Sequence, residues 1–254
     1  MTDSGKLKVK LFADGAELKV IAEMAKNPMI CGFTTNPTLM RKAGVSDYKA
    51  FALETLKIIG DKPISFEVFS DEFSEMKAQA LQIASWGGSN IYVKIPVSNT
   101  RREFSGPLIR DLTESGVQVN VTAIMTPKQV ADVLNYMAKN VRGYVSVFAG
   151  RIADTGRDPI PLMAECMKLL APHPWVELIW ASPRELLNII QADAVGCHII
   201  TATNDVLSKL PLVGKDLDEF SLDTVKMFRK DALGAGYTID ASSKGSSPKS
   251  VKTK

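Results

Sequence analysis

Short β-rich runs alternate along the chain with longer segments whose apolar residues recur at helical spacing. The runs predicted as strands cover residues 7–14, 31–36, 63–70, 90–97, 117–124, 143–150, 175–182 and 197–203. Consecutive strands begin about 20–35 residues apart, which suits one strand followed by one helix. The pattern therefore predicts a (β/α)8 TIM barrel, with a doubly wound open sheet as the alternative. No glycine-rich dinucleotide fingerprint follows the first strand, which favours the barrel.

Helix boundaries are also marked in the sequence. Thr126 and Ser182 each precede a proline, and this pairing predicts a capped helix start at both places. An additional C-terminal helix is predicted over residues 216–236, and its apolar stripe must pack on the barrel or on a neighbouring subunit. We predict a single barrel domain over residues 1–238 including this helix, followed by a Ser/Lys-rich disordered tail over residues 239–254.

Composition narrows the classes of partner. The 254 residues are 45% hydrophobic and 23% charged, and the net charge is +3. Residues 241–254 carry four lysines and no acid, so the rest of the chain has a charge of +3 − 4 = −1. A near-neutral body argues against nucleic acid as a partner, and no apolar run approaches the ~18 residues of a membrane span. Cys31, Cys166 and Cys197 have no short spacing and predict three buried, reduced thiols in a cytoplasmic protein.

Polar residues collect at the C-terminal ends of the predicted strands, where the active sites of barrels lie. In chain order they are Asp14, Thr34, Thr35, Asn36, Glu67, Lys94, Asn120, Thr122, Ser146, Arg151, Ser182, Arg184, Thr201 and Thr203. Strand alternation places Asn120 and Thr122 on one face and Ala123 on the other. Any one of these residues alone is an ordinary polar strand end, but the whole set predicts a site in the barrel mouth.

Lys94 lies in the middle of the apolar run IYVKIPV. Burial lowers the pKa of a lysine that has no matched acid, and this yields the neutral amine that attacks carbonyl carbons. Glu67 beside such a lysine could relay protons, and Asp14 is a candidate general base across the mouth. The structural alternative is a buried ion pair of Lys94 with Glu67 or Asp14, although such a pair adds little stability over apolar residues.

Arg151 and Arg184 follow the sixth and seventh predicted strands. Two guanidinium groups and the Ser182 hydroxyl would suit a phosphate, because they donate paired hydrogen bonds. The sequence SPRE is predicted to open a helix, whose free N–H groups would favour an anion. The alternative is that these are surface arginines paired with Asp154 or Glu185.

Neither a metal nor another cofactor is predicted. His173 and His198 are the only histidines, and neither has a cysteine or a second histidine at ligand spacing. With so few histidines, a serine–histidine catalytic triad is also implausible.

The motifs LFADGA, GFTTNPTL, SFEV, VKIP, VNVTAI, SVFAGRIAD and WASPRE occur in this order along the chain. In this order they resemble the transaldolase family, in particular its short-chain branch that includes fructose-6-phosphate aldolases. The resemblance covers residues 7 to about 213, which is the whole predicted barrel. Each motif alone is weakly specific, but TTNP, VKIP, NVT and FAGR together are quite specific.

The resemblance implies a role for each matching position. Lys94 would be the Schiff-base lysine, Asp14 the base for carbon–carbon cleavage, and Glu67 with Thr122 the pair that holds the catalytic water. Contacts to sugar hydroxyls are implied for Asn36, Asn120 and Ser146, and a phosphate site for Arg151, Ser182 and Arg184.

The chain departs from the family pattern at two positions. Gly15 stands where the family usually has threonine, and Val147 stands where it usually has proline. Both changes bear on the preferred sugar more than on the chemistry. The resemblance also separates the two activities of the family. Aldolase members have glutamine at the position of Glu67 and tyrosine at the position of Phe148, so in these two residues this chain resembles the transferases.

The resemblance implies a transaldolase of the pentose phosphate pathway. It would transfer a dihydroxyacetone unit from sedoheptulose 7-phosphate or fructose 6-phosphate to an aldose phosphate. Two alternatives stay open: an aldolase that releases dihydroxyacetone, and a non-catalytic barrel that binds sugar phosphates. Sugar phosphates are the expected partners, and the short-chain relatives imply a homo-oligomer, either a pentamer or a decamer.

Overall fold

The computed structural model describes residues 7–239 and confirms the predicted barrel. Its strands are β1 (Lys10–Asp14), β2 (Ile30–Thr34), β3 (Ile64–Glu67), β4 (Ile91–Pro96), β5 (Val119–Ile124), β6 (Gly143–Val147), β7 (Val176–Trp180) and β8 (Ile199–Ala202). They pair in sequence order, and β8 pairs with β1 to close the sheet. All pairs are parallel, as βα connections require.

Helices separate the strands. They are α1 (Leu18–Lys26), α2 (Pro37–Lys42), α3 (Tyr48–Ile59), α4 (Phe73–Ala84), α5 (Gly106–Glu114), α6 (Pro127–Leu134), α7 (Ala149–Ala153), α8 (Pro159–Leu170), α9 (Leu187–Val195), α10 (Asn204–Leu207) and α11 (Leu217–Gly234), with a 3₁₀ turn at Leu210–Leu212. Thr126 caps α6 as predicted, because its hydroxyl accepts from the Gln129 amide in a capping box. The second predicted start is wrong, since α9 begins at Leu187 rather than after Ser182.

The described chain divides into two compact units on either side of Pro211. The first unit holds the barrel. The second holds α11, whose N-cap Asp216 accepts hydrogen bonds from the amides of Asp218 and Glu219, so the predicted C-terminal helix is confirmed. The predicted tail lies outside the described residues except for Ile239. Of the helices described, none has the length and apolar character that crossing a membrane requires.

Residues on each strand alternate between the barrel interior and the surrounding helices. Val93 and Ile95 belong to the core between strands and helices, whereas Tyr92 lies in a separate cluster inside the barrel. The members of that inner cluster are Phe12, Tyr92, Tyr144, Ile179 and Ile199. Tyr92 and Tyr144 stack with ring centroids 3.9 Å apart. Lys94 follows Tyr92 by two residues, so it faces the interior one layer nearer the C-terminal mouth.

Strand β5 breaks the predicted alternation at Ala123. The pairing of β5 with β6 shifts register between Val121 and Ile124, and Ala123 has a φ of 62°. A bulge of this kind adds one residue to the strand and turns the following side chains. Ala123 is therefore exposed and does not pack beneath the helices, which corrects the prediction.

The predicted burial of the cysteines is confirmed for two of the three. All three thiols are free, and Cys166 and Cys197 are buried, which raises the pKa of each to about 12. Cys31 is exposed, so the prediction of a buried thiol is wrong there. It lies at the start of β2, where a cleft lined by Val9 and Leu210 leaves the outer face of the strand open.

Gly32 gives a test of packing inside the barrel. A Cβ at Gly32 would lie 2.5 Å from the ring of Phe12, which is 1% exposed and packs edge-on against Tyr144. We expect Gly32→Ala to lower the free energy of unfolding by about 1–3 kcal/mol in denaturant titrations. Gly15→Ala is the control, since a Cβ there meets nothing within 4 Å. Equal stability of the two variants would contradict this account.

Candidate active site

A cavity of about 380 Å³ opens at the C-terminal ends of the strands. The predicted site residues on its wall are Asp14, Asn36, Glu67, Lys94, Thr122, Ser146, Phe148, Arg151 and Ser182. Thr34, Thr201 and Thr203 of the predicted set also line it, whereas Thr35, Asn120 and Arg184 do not. A larger cavity of about 560 Å³ is lined by Ser89, Gln118 and other residues near the opposite ends of the strands, and it contains none of the predicted site residues.

Lys94 lies on the inner wall of this cavity with 7% of its surface exposed. Its Nζ is 3.0 Å from Glu67 Oε2 and donates to the Thr35 carbonyl oxygen at 2.9 Å. Glu67 and Lys94 are partners in the register of β3 and β4, which places the two side chains next to each other. The ion pair considered as the structural alternative is thus present, and both of its members face the cavity.

Asp14 is held by donors to both carboxylate oxygens. Thr34 Oγ1 donates to Oδ1 at 2.8 Å, and Asn36 Nδ2 lies 3.3 Å from Oδ2. Asn36 is itself fixed, because its Oδ1 accepts from the Leu39 amide and caps α2. Burial raises the pKa of Asp14 above its usual value of 3.8, although the charge of Lys94 and the two hydrogen bonds oppose this. Such a carboxylate is a stronger base than an exposed one.

Asn120 lies beneath the cavity as part of a buried polar layer. Its Nδ2 donates to Ser65 Oγ at 2.9 Å, and its Oδ1 accepts from Ser146 Oγ at 2.7 Å. Asn120 therefore links β3, β5 and β6 inside the barrel and holds the Ser146 hydroxyl at the cavity wall. Its predicted contact with a sugar hydroxyl stays a prediction.

Thr122 is a residue of the cavity wall. Its Oγ1 is buried and has no hydrogen-bond partner among residues 7–239. A buried hydroxyl without a partner destabilises a fold by roughly 1–3 kcal/mol. Six other buried side-chain atoms of the described residues also lack a partner, so the unpaired hydroxyl alone does not mark Thr122 as functional.

The two predicted phosphate ligands are placed differently. Arg151 lines the cavity, and its guanidinium carbon lies 5.9 Å from the centre of the Phe148 ring. Arg184 instead pairs with Asp154, with Arg184 Nε donating to Oδ1 at 3.1 Å and a second bond from Nη2 to Oδ2. The surface pairing that was left open as an alternative is therefore present for Arg184.

The segment SPRE does not open a helix. The amides of Arg184 and Glu185 both donate to Asn188 Oδ1, at 2.7 and 3.2 Å. Asn188 thus uses the N–H groups that were predicted to face an anion, and α9 starts only at Leu187. The predicted contribution of the helix N-terminus is wrong.

Backbone geometry shapes the same region of the cavity. Ser182 has a φ of 58°, and its carbonyl oxygen would lie 1.6 Å from a Cβ added to Gly150. Only glycine fits at position 150, since the obstructing atom belongs to the main chain. The glycine of FAGR was a signal of this close approach, whereas Ala123, which also lines the cavity, carried no local signal.

The chain matches a family model described as Transaldolase/Fructose-6-phosphate aldolase over residues 11–247. Among its curated relatives, a protein of Clostridium kluyveri is 33% identical over 219 residues, which is 85% of this chain and 97% of that protein. A protein of Clostridium perfringens is 31% identical over 226 residues, which is 87% of this chain and 100% of that protein. Both are named "Probable transaldolase".

Solved structures with the same architecture are more distant in sequence. The 4-hydroxy-tetrahydrodipicolinate synthase of Methylacidiphilum fumariolicum SolV has a TM-score of 0.57 at 12% identity, covering 83% of this chain and 75% of that one. The dihydrodipicolinate synthase of Rhodopseudomonas palustris has a TM-score of 0.55 at 14% identity, with coverages of 85% and 79%. At these identities the likeness establishes the fold alone.

The raised pKa of Asp14 has a consequence for stability. A carboxyl group that binds its proton more tightly in the folded state stabilises the fold fully below its unfolded pKa of 3.8. This contribution is lost as the pH rises through the folded pKa. We therefore expect Asp14→Asn to be more stable than the parent at pH 7, and the difference to shrink toward pH 3. Urea titrations across this pH range measure it.

Asp71→Asn is the control for Asp14→Asn. Hydrogen bonds from the Thr100 backbone and hydroxyl lower the pKa of Asp71, so the sign is opposite. Its replacement should lower stability at pH 7 relative to pH 3. An Asp14→Asn protein that loses stability against the parent as the pH rises would contradict the account of Asp14.

Proposed function

This chain belongs to the transaldolase/fructose-6-phosphate aldolase family, and we propose that it is a transaldolase acting through a Schiff base on Lys94. The transferred group would be a dihydroxyacetone unit, moved from a ketose phosphate to an aldose phosphate. The observation that carries the proposal is a buried lysine facing the cavity, with a carboxylate 3.0 Å from its amine. This arrangement supplies both a nucleophile and an acceptor for its proton.

Formation of the Schiff base uses Glu67 for proton transfer. The Lys94 ammonium gives a proton to Glu67, and the free amine then attacks the ketone carbon of the substrate. Glu67 returns this proton to the oxygen of the adduct, then takes a second proton from the nitrogen and passes it to the same oxygen. The oxygen leaves as water, which gives the iminium ion and restores the Glu67 carboxylate. Thr122 lines the same cavity, and we propose that its hydroxyl, which has no partner among residues 7–239, turns to hold this water together with Glu67.

Cleavage of the carbon–carbon bond uses Asp14. Its carboxylate takes the proton from the hydroxyl group on the carbon that becomes the leaving aldehyde. The electron pair of the breaking bond moves into the iminium, and a three-carbon enamine stays bound to Lys94. The raised pKa of Asp14 supports this role, since it makes the carboxylate a better proton acceptor. Thr34 and Asn36 orient it.

We propose that the phosphate of the substrate binds at Arg151, Ser182 and Arg184. Arg151 and Ser182 already line one side of the cavity. Arg184 would exchange its bonds to Asp154 for bonds to the phosphate, which accepts paired N–H donors in the same way as a carboxylate. The Ser146 hydroxyl and Asn36 remain for the sugar hydroxyls.

Transfer is favoured over release of dihydroxyacetone by the residue at position 148. Phe148 lines the cavity and has no acidic hydrogen, so it offers no proton to the enamine. The enamine then persists until an aldehyde acceptor arrives. Of the two departures from the family pattern, Val147 is buried in the core behind β6, and a side chain at Gly15 would meet open space. Neither change removes a group that the proposed steps need.

The setting of the reaction is part of the proposal. We place the enzyme in the pentose phosphate pathway, with erythrose 4-phosphate as the default acceptor, and in the cytoplasm, which the three free thiols support. We further propose that the chain forms a single barrel domain with α11 and assembles as a homo-oligomer through the apolar residues of that helix. Leu217, Phe220, Val225 and Phe228 provide such residues.

Borohydride reduction in the presence of fructose 6-phosphate tests the Schiff base. We expect a stable adduct on the peptide that contains Lys94, detected by mass spectrometry, and no adduct with Lys94→Met. Lys62→Met is the matched control, because Lys62 is also partly buried and donates to a backbone carbonyl at 2.8 Å, but lies outside the cavity. Adduct formation by the Lys94 variant, or sugar-phosphate binding by the parent with no adduct, would reject the mechanism. The second outcome would favour a binding barrel.

Phe148→Tyr separates transferase from aldolase. The added phenol can protonate the enamine, so we expect release of dihydroxyacetone from fructose 6-phosphate without acceptor to rise about tenfold or more. Transfer to erythrose 4-phosphate should fall in proportion. The two rates are measured with coupled assays for dihydroxyacetone and for the new ketose phosphate. A parent protein that already releases dihydroxyacetone as fast as it transfers would favour the aldolase.

A further inference from the structure

The hydrogen-bond ladder between β2 and β3 stops just before Glu67. Thr34 pairs with Ser65, and the Thr35 amide donates to the Ser65 carbonyl at 3.2 Å. Two residues further along a parallel ladder, the Glu67 amide would donate to the Thr35 carbonyl. The Glu67 carbonyl would accept from the amide of residue 37. Residue 37 is a proline and has no N–H, so this pairing cannot form.

The hydroxyl of Tyr48 takes both places in the ladder. It accepts from the Glu67 amide at 2.8 Å and donates to the Glu67 carbonyl at 3.1 Å. Burial raises the pKa of the Tyr48 phenol well above its usual value, so the hydroxyl keeps the proton that it donates. One side chain from α3 thus satisfies a strand end that would otherwise lack partners.

Because the Glu67 amide bonds to the Tyr48 hydroxyl, the Thr35 carbonyl can accept from another donor. Lys94 Nζ donates to it at 2.9 Å, while Glu67 Oε2 lies 3.0 Å from the same nitrogen. We propose that Tyr48 is a positioning residue for Lys94. Its hydroxyl hydrogen-bonds to the amide and the carbonyl of Glu67, so the Glu67 amide does not compete with Lys94 for the Thr35 carbonyl. The same bonds hold the Glu67 carboxylate beside the lysine. The inference rests on the proposed function, in which Lys94 is the nucleophile.

The Tyr48 ring is held firmly enough for this task. It packs edge-on against Phe66 and Trp86, with centroid distances of 6.1 and 5.5 Å, and lies 4.7 Å from the ring of Phe69. Its backbone begins α3 directly after the N-cap Asp47, whose side chain accepts from the Ala50 amide. A group fixed by packing and by a helix cap keeps its hydrogen bonds aimed.

Tyr48→Phe removes the hydroxyl and keeps the ring. The Glu67 amide would then compete with Lys94 for the Thr35 carbonyl. We expect the rate constant of borohydride-trapped adduct formation with fructose 6-phosphate, and kcat, to fall about 10–100-fold, while KM changes less than about threefold. The final amount of adduct should equal that of the parent. Tyr136→Phe is the matched control, since that tyrosine also packs edge-on in an aromatic pair, 5.4 Å from Phe104, outside the cavity.

A purely structural role for Tyr48 gives a different result. It would lower the melting temperature and the final amount of adduct, but leave the rate constant per competent site unchanged. That result, or a Tyr48→Phe protein as fast as Tyr136→Phe, would overturn the positioning role.

Two measurements distinguish failure of the proposed function from failure of the positioning role: adduct formation by the parent protein and hydrogen exchange at Glu67. If the parent forms no adduct, the proposed function fails. The hydrogen bond between Tyr48 and the Glu67 amide is then tested by hydrogen–deuterium exchange of that amide, which requires no substrate. We expect this amide to exchange at least tenfold faster in Tyr48→Phe than in the parent and in Tyr136→Phe, because it must share the Thr35 carbonyl with Lys94 and stays unbonded for part of the time. Unchanged exchange would overturn the proposed contact with Glu67 whether or not the protein is an enzyme.

Discussion

The structure depends on how one ammonium group is accommodated inside a closed barrel. Removing a charge from water costs several kcal/mol, and only close partners of opposite charge or dipole offset that cost. Lys94 has two such partners, the Glu67 carboxylate at the end of β3 and the Thr35 carbonyl directly after β2. The register of β3 with β4 places the Glu67 carboxylate 3.0 Å from the Lys94 amine, so the pairing of these strands also provides the charge that compensates the ammonium. A shift of one strand would leave the ammonium without its carboxylate.

Irregular backbone shapes the wall of the cavity. Regular strands direct side chains inward only at every second residue, so other groups reach the cavity only where regularity is broken. Ala123 and Ser182 adopt left-handed conformations there, Pro37 ends a ladder, and Gly150 admits a carbonyl too close for any other residue. Such strain persists only where the surrounding packing over-determines it.

The sequence was sufficient for features that local physics determines. Eight alternating runs predicted eight strands, because each strand must separate a helix-facing side from an interior side, and Lys94 was recognisable because few ordinary packings tolerate a charge there. The late start of α9 was not predicted because the Asn188 side chain takes the amides of Arg184 and Glu185, a competition that periodicity does not show. The bulge at Ala123 left no signal in the alternation of β5. Tyr48 was missed for a related reason: its hydroxyl binds main-chain atoms, which leave no pattern in the sequence.

The pairing of Arg184 with Asp154 is compatible with the proposed phosphate site for an energetic reason. Both side chains are about half exposed, at 51% each, and an exposed ion pair contributes only about 0–1 kcal/mol. A phosphate group carries more charge than a carboxylate and accepts the same paired N–H donors, so it can displace Asp154 at small cost. Until then the carboxylate keeps the long arginine side chain ordered near the cavity, which reduces the entropy lost when a ligand binds. Arg151, already on the cavity wall, would supply the first charge that draws the phosphate in.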